Sequence, residues 1–138
     1  MAHDEALAFL AFGTRTGKLA MVRANGAPIV TPVWFVIDGD DLVFTTWHES
    51  EKARRLHREP RATLIVDKEE PPYACVRVDG TVSFSGDLEE VRRFATIIGG
   101  RHMGVDRAEE SGRRNGVEGE LVARLGMDRV VGHHDISG

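Results

Sequence analysis

Apolar and polar residues alternate in short runs along most of this chain, which is the pattern of half-buried β-strands. Glycine, asparagine, aspartate and proline, the residues that favour turns, separate the runs. Asn25-Gly26, for example, accepts the positive φ angles of a tight hairpin turn. We predict strands over residues 18–24, 28–37, 42–46, 61–66 and 73–84, and one bent or two short strands over 120–125 and 129–132. The pattern therefore predicts a mainly β fold with flanking helices, namely a six- or seven-stranded antiparallel split β-barrel.

Three segments show the helical spacing of apolar residues instead. Helices are predicted over residues 4–12, 51–58 and 87–100. Ser50 is placed to cap the second helix. Asp87 and Glu90 form a capping box for the third, which two glycines are expected to end.

Glycines mark two further features of the chain. Gly80 lies inside the longest predicted strand and indicates a bulge. Residues 101–119 are rich in charge and glycine, so we predict an irregular segment with one short helix around 107–112.

Length and composition restrict the class of protein. The 138 residues suit one domain, so we treat residues 1–138 as a single unit. No apolar run reaches the ~18 residues of a membrane span, and the net charge of −4 gives no long-range attraction to nucleic acid. Cys75 is the only cysteine, and residues 1–5 lack the basic start of a signal peptide. We expect a cytoplasmic protein with neither a membrane nor a nucleic-acid partner.

The start of the second helix carries the most informative chemistry. Hydroxyl groups of Thr46 and Ser50 precede it, and Lys52 and Arg55 share one of its faces. Free backbone N–H groups and the positive end of the helix dipole attract anions, and cations add directed hydrogen bonds. This combination suits a phosphate group. The alternative is that these cations pair with neighbouring glutamates on a solvated helix face.

A nearly continuous apolar run, residues 30–36, contains the aromatic pair Trp34-Phe35. Neighbouring side chains of a strand point to opposite faces, so at least one of these rings lines something other than solvent. A protein core or a dimer interface explains this pattern. A flat redox cofactor is the other explanation, because the backbone N–H and C=O groups of such a strand can bind its polar edge.

Other motifs of catalysis are missing from the sequence. There is no GxSxG elbow, no HExxH helix and no Walker-type glycine loop. The histidines, including the adjacent His133 and His134, lack the spacing of zinc ligands, so we expect no metal site. Cys75 lies in a predicted strand and is expected to be a small buried hydrophobe.

The order of these segments resembles a known family. The hairpin 18–37 is followed by Thr45-Thr46, Ser50-x-Lys52, the strand 61–67 and the strand 73–80. This order, over nearly the whole chain, is similar to that of the pyridoxamine 5′-phosphate oxidase-like split-barrel family. Gly100-Arg101-His102-Met103-Gly104 and Arg113-Arg114-Asn115-Gly116 further resemble the branch of flavin/deazaflavin oxidoreductases that use coenzyme F420.

The resemblance implies a homodimer with two cofactor sites at the subunit interface, to which residues 101–116 of the partner contribute. It implies hydride transfer from reduced F420 to an electron-poor small-molecule substrate. An FMN-dependent oxidase or reductase and a non-catalytic flavin-binding protein are the alternatives. The residues implied to bind the cofactor are Pro32, Val33, Trp34, Thr45, Thr46, Ser50, Lys52, Arg54, Arg55 and Met103.

Three residues depart from the pattern of this family. Trp47 follows the paired threonines where a small residue is expected, and His102 and Ser111 stand where relatives often carry tyrosine. These residues bear on ring placement and on the substrate pocket.

Overall fold

A computed structural model describes residues 1–136 of the chain. Within this range the strands are β1 (Gly17–Val22), β2 (Pro28–Val33), β3 (Val36–Asp38), β4 (Asp41–Trp47), β5 (Arg61–Lys68), β6 (Ala74–Ser85), β7 (Glu120–Gly126) and β8 (Arg129–His133). The helices are α1 (His3–Ala11), α2 (Glu51–Arg58), α3 (Leu88–Met103) and α4 (Ala108–Asn115), with a short 3₁₀ helix at Val105–Arg107.

All strand pairs are antiparallel, and the neighbours run in the order β2-β1-β5-β6-β7-β4-β3, with β8 also paired to β6. Two sheet halves share the long β6, as in a split barrel. The predicted mainly β, antiparallel architecture is confirmed.

The number of strands is eight rather than six or seven, because the strand predicted over 28–37 is broken at Trp34-Phe35. Before the break, Val33 pairs with Gly17 of β1. After it, Val36 pairs with Val43 of β4. The chain crosses between the two sheet halves at this point, which no local sequence pattern encodes.

Two apolar clusters hold the fold together. The larger lies between the sheet halves around Phe35, Phe44 and Leu64, all fully buried. The smaller joins α3 to β3, β4 and β7 through residues that include Phe94 and Val122. Cys75 is buried, as predicted. Burial is the main cause that raises the pKa of its thiol.

The helix α3 does not end at its two glycines, as was predicted, but continues to Met103. Gly99 lies inside it, where a side chain would overlap Ser111 of α4. Gly112 of α4 likewise lies where a side chain would overlap Thr96. The glycines therefore allow two helices to pack closely, and the segment predicted to be irregular is mostly helical.

The cap of α3 also differs from the predicted box. The Asp87 carboxylate accepts the backbone N–H of Glu89 at 3.1 Å. Glu90 instead binds Arg124 of β7, whose guanidinium also binds Asp38 at 2.9 Å and Asp41 at 3.2 Å. This cluster ties α3 to the β3–β4 turn. No helix within residues 1–136 has the length and apolar character needed to cross a membrane.

Candidate functional site

A cleft of about 310 Å³ opens between the end of β2, the start of α2 and the helices α3 and α4. This volume lies at the lower end of the range for ligand pockets, about 300–1,000 Å³. Its lining residues are Thr16, Pro32, Val33, Trp34, Thr45, Lys52, Ala95, Ile98, Gly99, Met103, Ser111 and Asn115. Six of the ten residues predicted to bind a cofactor are therefore brought together.

One wall of the cleft is the end of β2. The indole of Trp34 is 46% exposed, whereas Phe35 is fully buried in the core. The two rings thus lie on opposite faces, as the alternation of a strand requires. β3 begins only at Val36, and no ladder pair includes Trp34 or Phe35 among the described residues. The cleft therefore adjoins a piece of backbone outside the sheet ladder.

A second wall is polar and positively charged. Thr45 near the end of β4 and Lys52 in the first turn of α2 both line the cleft. Lys52 forms no ion pair within the described part of the chain. Burial raises the pKa of Glu120, at the start of β7, and the charge of Lys52 acts in the opposite direction. This wall therefore presents a cation without a direct counter-ion.

The hydroxyls of Thr46 and Ser50 lie behind this wall rather than in the cleft. They are 2.7 Å apart, and Ser50 Oγ also accepts the backbone N–H of Ala53 at 3.1 Å. The predicted cap of α2 is confirmed. These two residues fix where α2 begins, and so they set the position of Lys52.

The two predicted arginines of α2 also lie outside the residues that line the cleft. Arg54 is exposed. Arg55 is half-buried, and its Nε atom is buried without a hydrogen-bond partner among residues 1–136. A buried N–H group without a partner is unfavourable by about 1–3 kcal/mol, so this donor is suited to an anion that approaches from outside the chain.

The sequence model of the pyridoxamine 5′-phosphate oxidase family matches residues 2–123. The chain belongs to this family. No curated protein sequence is similar enough to the chain to count as a match.

Several solved structures share the fold of this chain. A conserved hypothetical protein of Mycobacterium tuberculosis superposes with a TM-score of 0.83 at 20% identity, over 100% of this chain and 93% of its own. A protein described as an F420 reductase has a TM-score of 0.71 at 24% identity, over 90% and 94% of the two chains. An FAD-binding protein of Mesorhizobium loti has a TM-score of 0.72 at 17% identity, over 96% and 92%.

The third wall of the cleft was mostly missed by the sequence reasoning, which named Met103 as a binding residue and noted only that Ser111 bears on the substrate pocket. Its members come from α3 and α4 and are Ala95, Ile98, Gly99, Met103, Ser111 and Asn115. Ala95 and Ile98 lie in the helix predicted over 87–100, which was expected only to flank the barrel. The signal lay in Gly99, because a glycine inside a helix marks close packing against another element. Ser111 of α4, which packs against Gly99, is 5% exposed and lines the cleft.

The C-terminal end of α3 is bound to the strand break beside the cleft. Arg101 donates hydrogen bonds to the carbonyl oxygens of Phe35 at 2.7 Å, Leu10 at 2.7 Å and Gly13 at 3.0 Å. Burial lowers the pKa of its guanidinium. Next to it, the imidazole of His102 stacks on Trp34, with 5.2 Å between ring centroids and 1° between planes. α3 thus holds the backbone that forms the first wall.

Proposed function

We propose that the protein is an oxidoreductase that uses reduced coenzyme F420 to reduce an electron-poor small molecule. Such a cofactor supplies a hydride, and a solvent proton completes the reduction of a double bond or conjugated ring. The observation that carries the proposal is the cleft in which Trp34, the end of β2 and a lysine without an ion pair among the described residues meet. The F420 reductase among the solved structures of this fold adds support.

Lys52 and Arg55 are suited to the phosphate of such a cofactor. Lys52 lines the cleft without an ion pair among the described residues, and the Nε of Arg55 is a buried donor without a partner. Both belong to the first two turns of α2, where the helix dipole also favours an anion. Phosphate binding would satisfy the Arg55 donor and neutralise the Lys52 charge.

The first and third walls are suited to a flat ring. Pro32, Val33 and Trp34 present backbone groups and an indole, whereas Ala95, Ile98 and Met103 present apolar atoms. Apolar walls exclude water, and the backbone groups orient the polar edge of a ring. No side chain is required as a nucleophile in this arrangement, because the cofactor carries the chemistry.

A cation outside the cleft supports the choice of F420, which has an acidic tail, over FMN. Arg61 is bound to Glu59, and its hydrogen bond lowers the pKa of that carboxylate to about 2. Arg58 donates to the Ala24 carbonyl at 3.0 Å. Arg54 is exposed on the same helix as Lys52 and is the cation best suited to an acidic tail. The preference for F420 over FMN rests on this arginine and on the resemblance of the sequence.

The proposal is tested by titrating the purified protein with F420 and, separately, with FMN, while cofactor fluorescence is measured. We expect saturable binding of F420 and its reoxidation in the presence of enones, quinones or nitroaromatic compounds. Copurification of tightly bound FMN without F420 binding would make the protein an FMN enzyme instead. F420 binding without turnover of the panel would support a non-catalytic carrier.

Removal of both anchoring cations, Lys52→Ala with Arg55→Ala, is expected to weaken cofactor binding by at least ~2 kcal/mol, about 30-fold in Kd. The physical reason is the loss of two charge-assisted hydrogen bonds to phosphate. Fluorescence titration measures the change. Arg23→Ala with Arg93→Ala is the matched control, because it removes two exposed cations and changes the net charge equally. Equal affinities of the two double variants would contradict the anchoring roles.

The carboxylate of Glu120 is expected to oppose the binding of an anion near Lys52. Glu120→Gln removes this negative charge, so cofactor affinity should rise about threefold to tenfold at pH 7. Burial raises the pKa of Glu120. The protein therefore gains affinity as the pH falls and the carboxyl becomes neutral, and this part of the pH dependence should be missing in the variant. Parallel pH profiles of Kd for the two proteins would show that Glu120 is too distant to matter.

We further propose that two copies of the chain form a homodimer through the outer face of β1, β2 and β5. The strand register places Val30, Ala20 and Ile65 on this face, and Val30 and Ile65 are 62% and 36% exposed. Apolar side chains on a sheet face favour burial against a partner. Sedimentation equilibrium is expected to give twice the chain mass, and Val30→Glu should give the monomer. A monomeric native protein would contradict the proposed interface.

A further inference from the structure

The imidazole of His102 lies against two neighbouring residues of the strand break. Its ring stacks on the indole of Trp34, almost parallel to it. Its Nε2 atom lies 3.1 Å from the carbonyl oxygen and 3.3 Å from the amide nitrogen of Phe35. In one neutral tautomer Nε2–H donates to the carbonyl, and in the other Nε2 accepts from the amide. Either tautomer therefore fixes the ring to this peptide.

Burial makes protonation of His102 unfavourable. Its Nδ1 atom is buried and has no hydrogen-bond partner among the described residues. Burial is the largest cause that lowers the pKa of His102 and the Arg101 charge lowers it further, whereas backbone groups of Phe35 and Thr14 act in the opposite direction. Trp34 and Phe35, which contact the ring from the strand break, carry no charge, so the ring is neutral near pH 7.

Trp34 is the link between this histidine and the cleft. One face of its indole is covered by His102, and Trp34 lines the cleft. The side chain is nevertheless 46% exposed, and no hydrogen bond to it is formed within residues 1–136. Without the stacked imidazole, the exposed indole is free to adopt other rotamers. The width of the cleft at this wall then depends on His102.

We propose that His102 is a positioning residue, which holds the Trp34 indole as one side of a slot for a flat ring. This role adds to the proposed function and rests on it, because the proposed function identifies the flat ring as that of the cofactor. His102 itself does not line the cleft. Its effect on a bound cofactor passes through Trp34, because an indole that samples several orientations presents the binding-competent one for only part of the time.

Two substitutions separate stacking from hydrogen bonding. His102→Phe keeps a planar ring against Trp34 and loses the hydrogen bond to Phe35. His102→Asn keeps a hydrogen-bonding group and loses the ring. If the competent orientation of Trp34 falls to about a tenth of the population, apparent cofactor affinity falls about tenfold. We expect this loss in His102→Asn, together with a raised KM for the cofactor and a nearly unchanged kcat. In His102→Phe we expect a cofactor affinity within about twofold of the native value.

Tryptophan fluorescence tests the contact without any cofactor. Trp34 and Trp47 are the only tryptophans, and Trp47 lies 4.7 Å from the ring of His48, so all measurements use Trp47→Phe. A protonated imidazole quenches an indole on which it stacks. We expect Trp34 emission to fall on acidification with a midpoint below 6.5, the ordinary pKa of histidine. His102→Phe should abolish this transition, and acrylamide should quench Trp34 more strongly in His102→Asn.

The fluorescence measurements and the cofactor titrations test different parts of the proposal. Equal acrylamide quenching of Trp34 in all variants would overturn the positioning role whether or not F420 binds. A normal emission transition together with no F420 binding would leave the contact intact and overturn the proposed function. A larger affinity loss in His102→Phe than in His102→Asn would assign the effect to the Phe35 hydrogen bond and overturn the role of stacking.

Discussion

Gly80→Ala is expected to lower the free energy of unfolding by about 3 kcal/mol or more. On one edge, β6 pairs with β8 over residues 75–79 and with β7 over residues 82–85. Gly80 lies between these two ladders, where the turn that joins β7 to β8 passes over the strand. A side chain here would overlap the carbonyl oxygen of Gly126. The obstacle is backbone rather than a flexible side chain, so relief requires a shift of the β7–β8 turn.

Urea denaturation measures this change, and Gly126→Ala is the matched control. A side chain at Gly126 meets no atom closer than 3.8 Å. Both variants remove a glycine from the same contact, so their different effects isolate the overlap. We expect the control to lose less than about 1 kcal/mol. A loss below about 1 kcal/mol in Gly80→Ala would show that the β7–β8 turn moves away from β6 at little cost.

Arg101→Ala is expected to lower the free energy of unfolding by about 3 kcal/mol, because three charge-assisted hydrogen bonds are lost. The carbonyl groups of Leu10, Gly13 and Phe35 belong to the end of α1, to the following turn and to the strand break. The guanidinium also lies over the Phe35 ring, 4.6 Å from its centroid. One side chain therefore joins α3 to residues 10–13 and to the strand break, which are distant from it in sequence.

Two control variants accompany this prediction, one with a different side chain at position 101 and one at another position of α3. Arg101→Lys keeps the charge but cannot reach three carbonyls at once, so we expect about half of the loss. Arg93→Ala removes an exposed arginine from the same helix, and a loss below about 0.5 kcal/mol is expected. Thermal unfolding of all three variants gives the comparison. Similar midpoints for Arg101→Ala and Arg93→Ala would show that water replaces the guanidinium at little cost.

Local patterns predicted most of the elements. The alternation in residues 18–24 and 61–66 agrees with β1 and β5, and Ser50 caps α2 as predicted. These features depend on neighbours within a few residues, so they are visible in the sequence. The errors lie at glycines and at the strand break. Gly99 suits both a helix end and a close helix contact, and only the packing of α4 decides between them.

The residues of the candidate site were also predicted only in part. Lys52 of α2 was chosen from residue type and spacing and Trp34 of the strand break from the family resemblance, and both line the cleft. Thr46 and Ser50 were also chosen from residue type and spacing, but they bind each other. Ser111 and Asn115 were not among the predicted binding residues, because their position depends on a contact between α3 and α4.

The sequence by itself determined the strands, the hairpins, the start of α2 and the cation that faces the cleft, since period, turn residues and capping act over short distances. Only the tertiary structure decided that β2 ends at Val33, that α4 forms the third wall and that His102 covers Trp34. The contacts at the strand break join residues 66 to 68 positions apart, such as Phe35 with Arg101 and Trp34 with His102. Their geometry depends on the packing of the whole core, which a local pattern of residues does not contain.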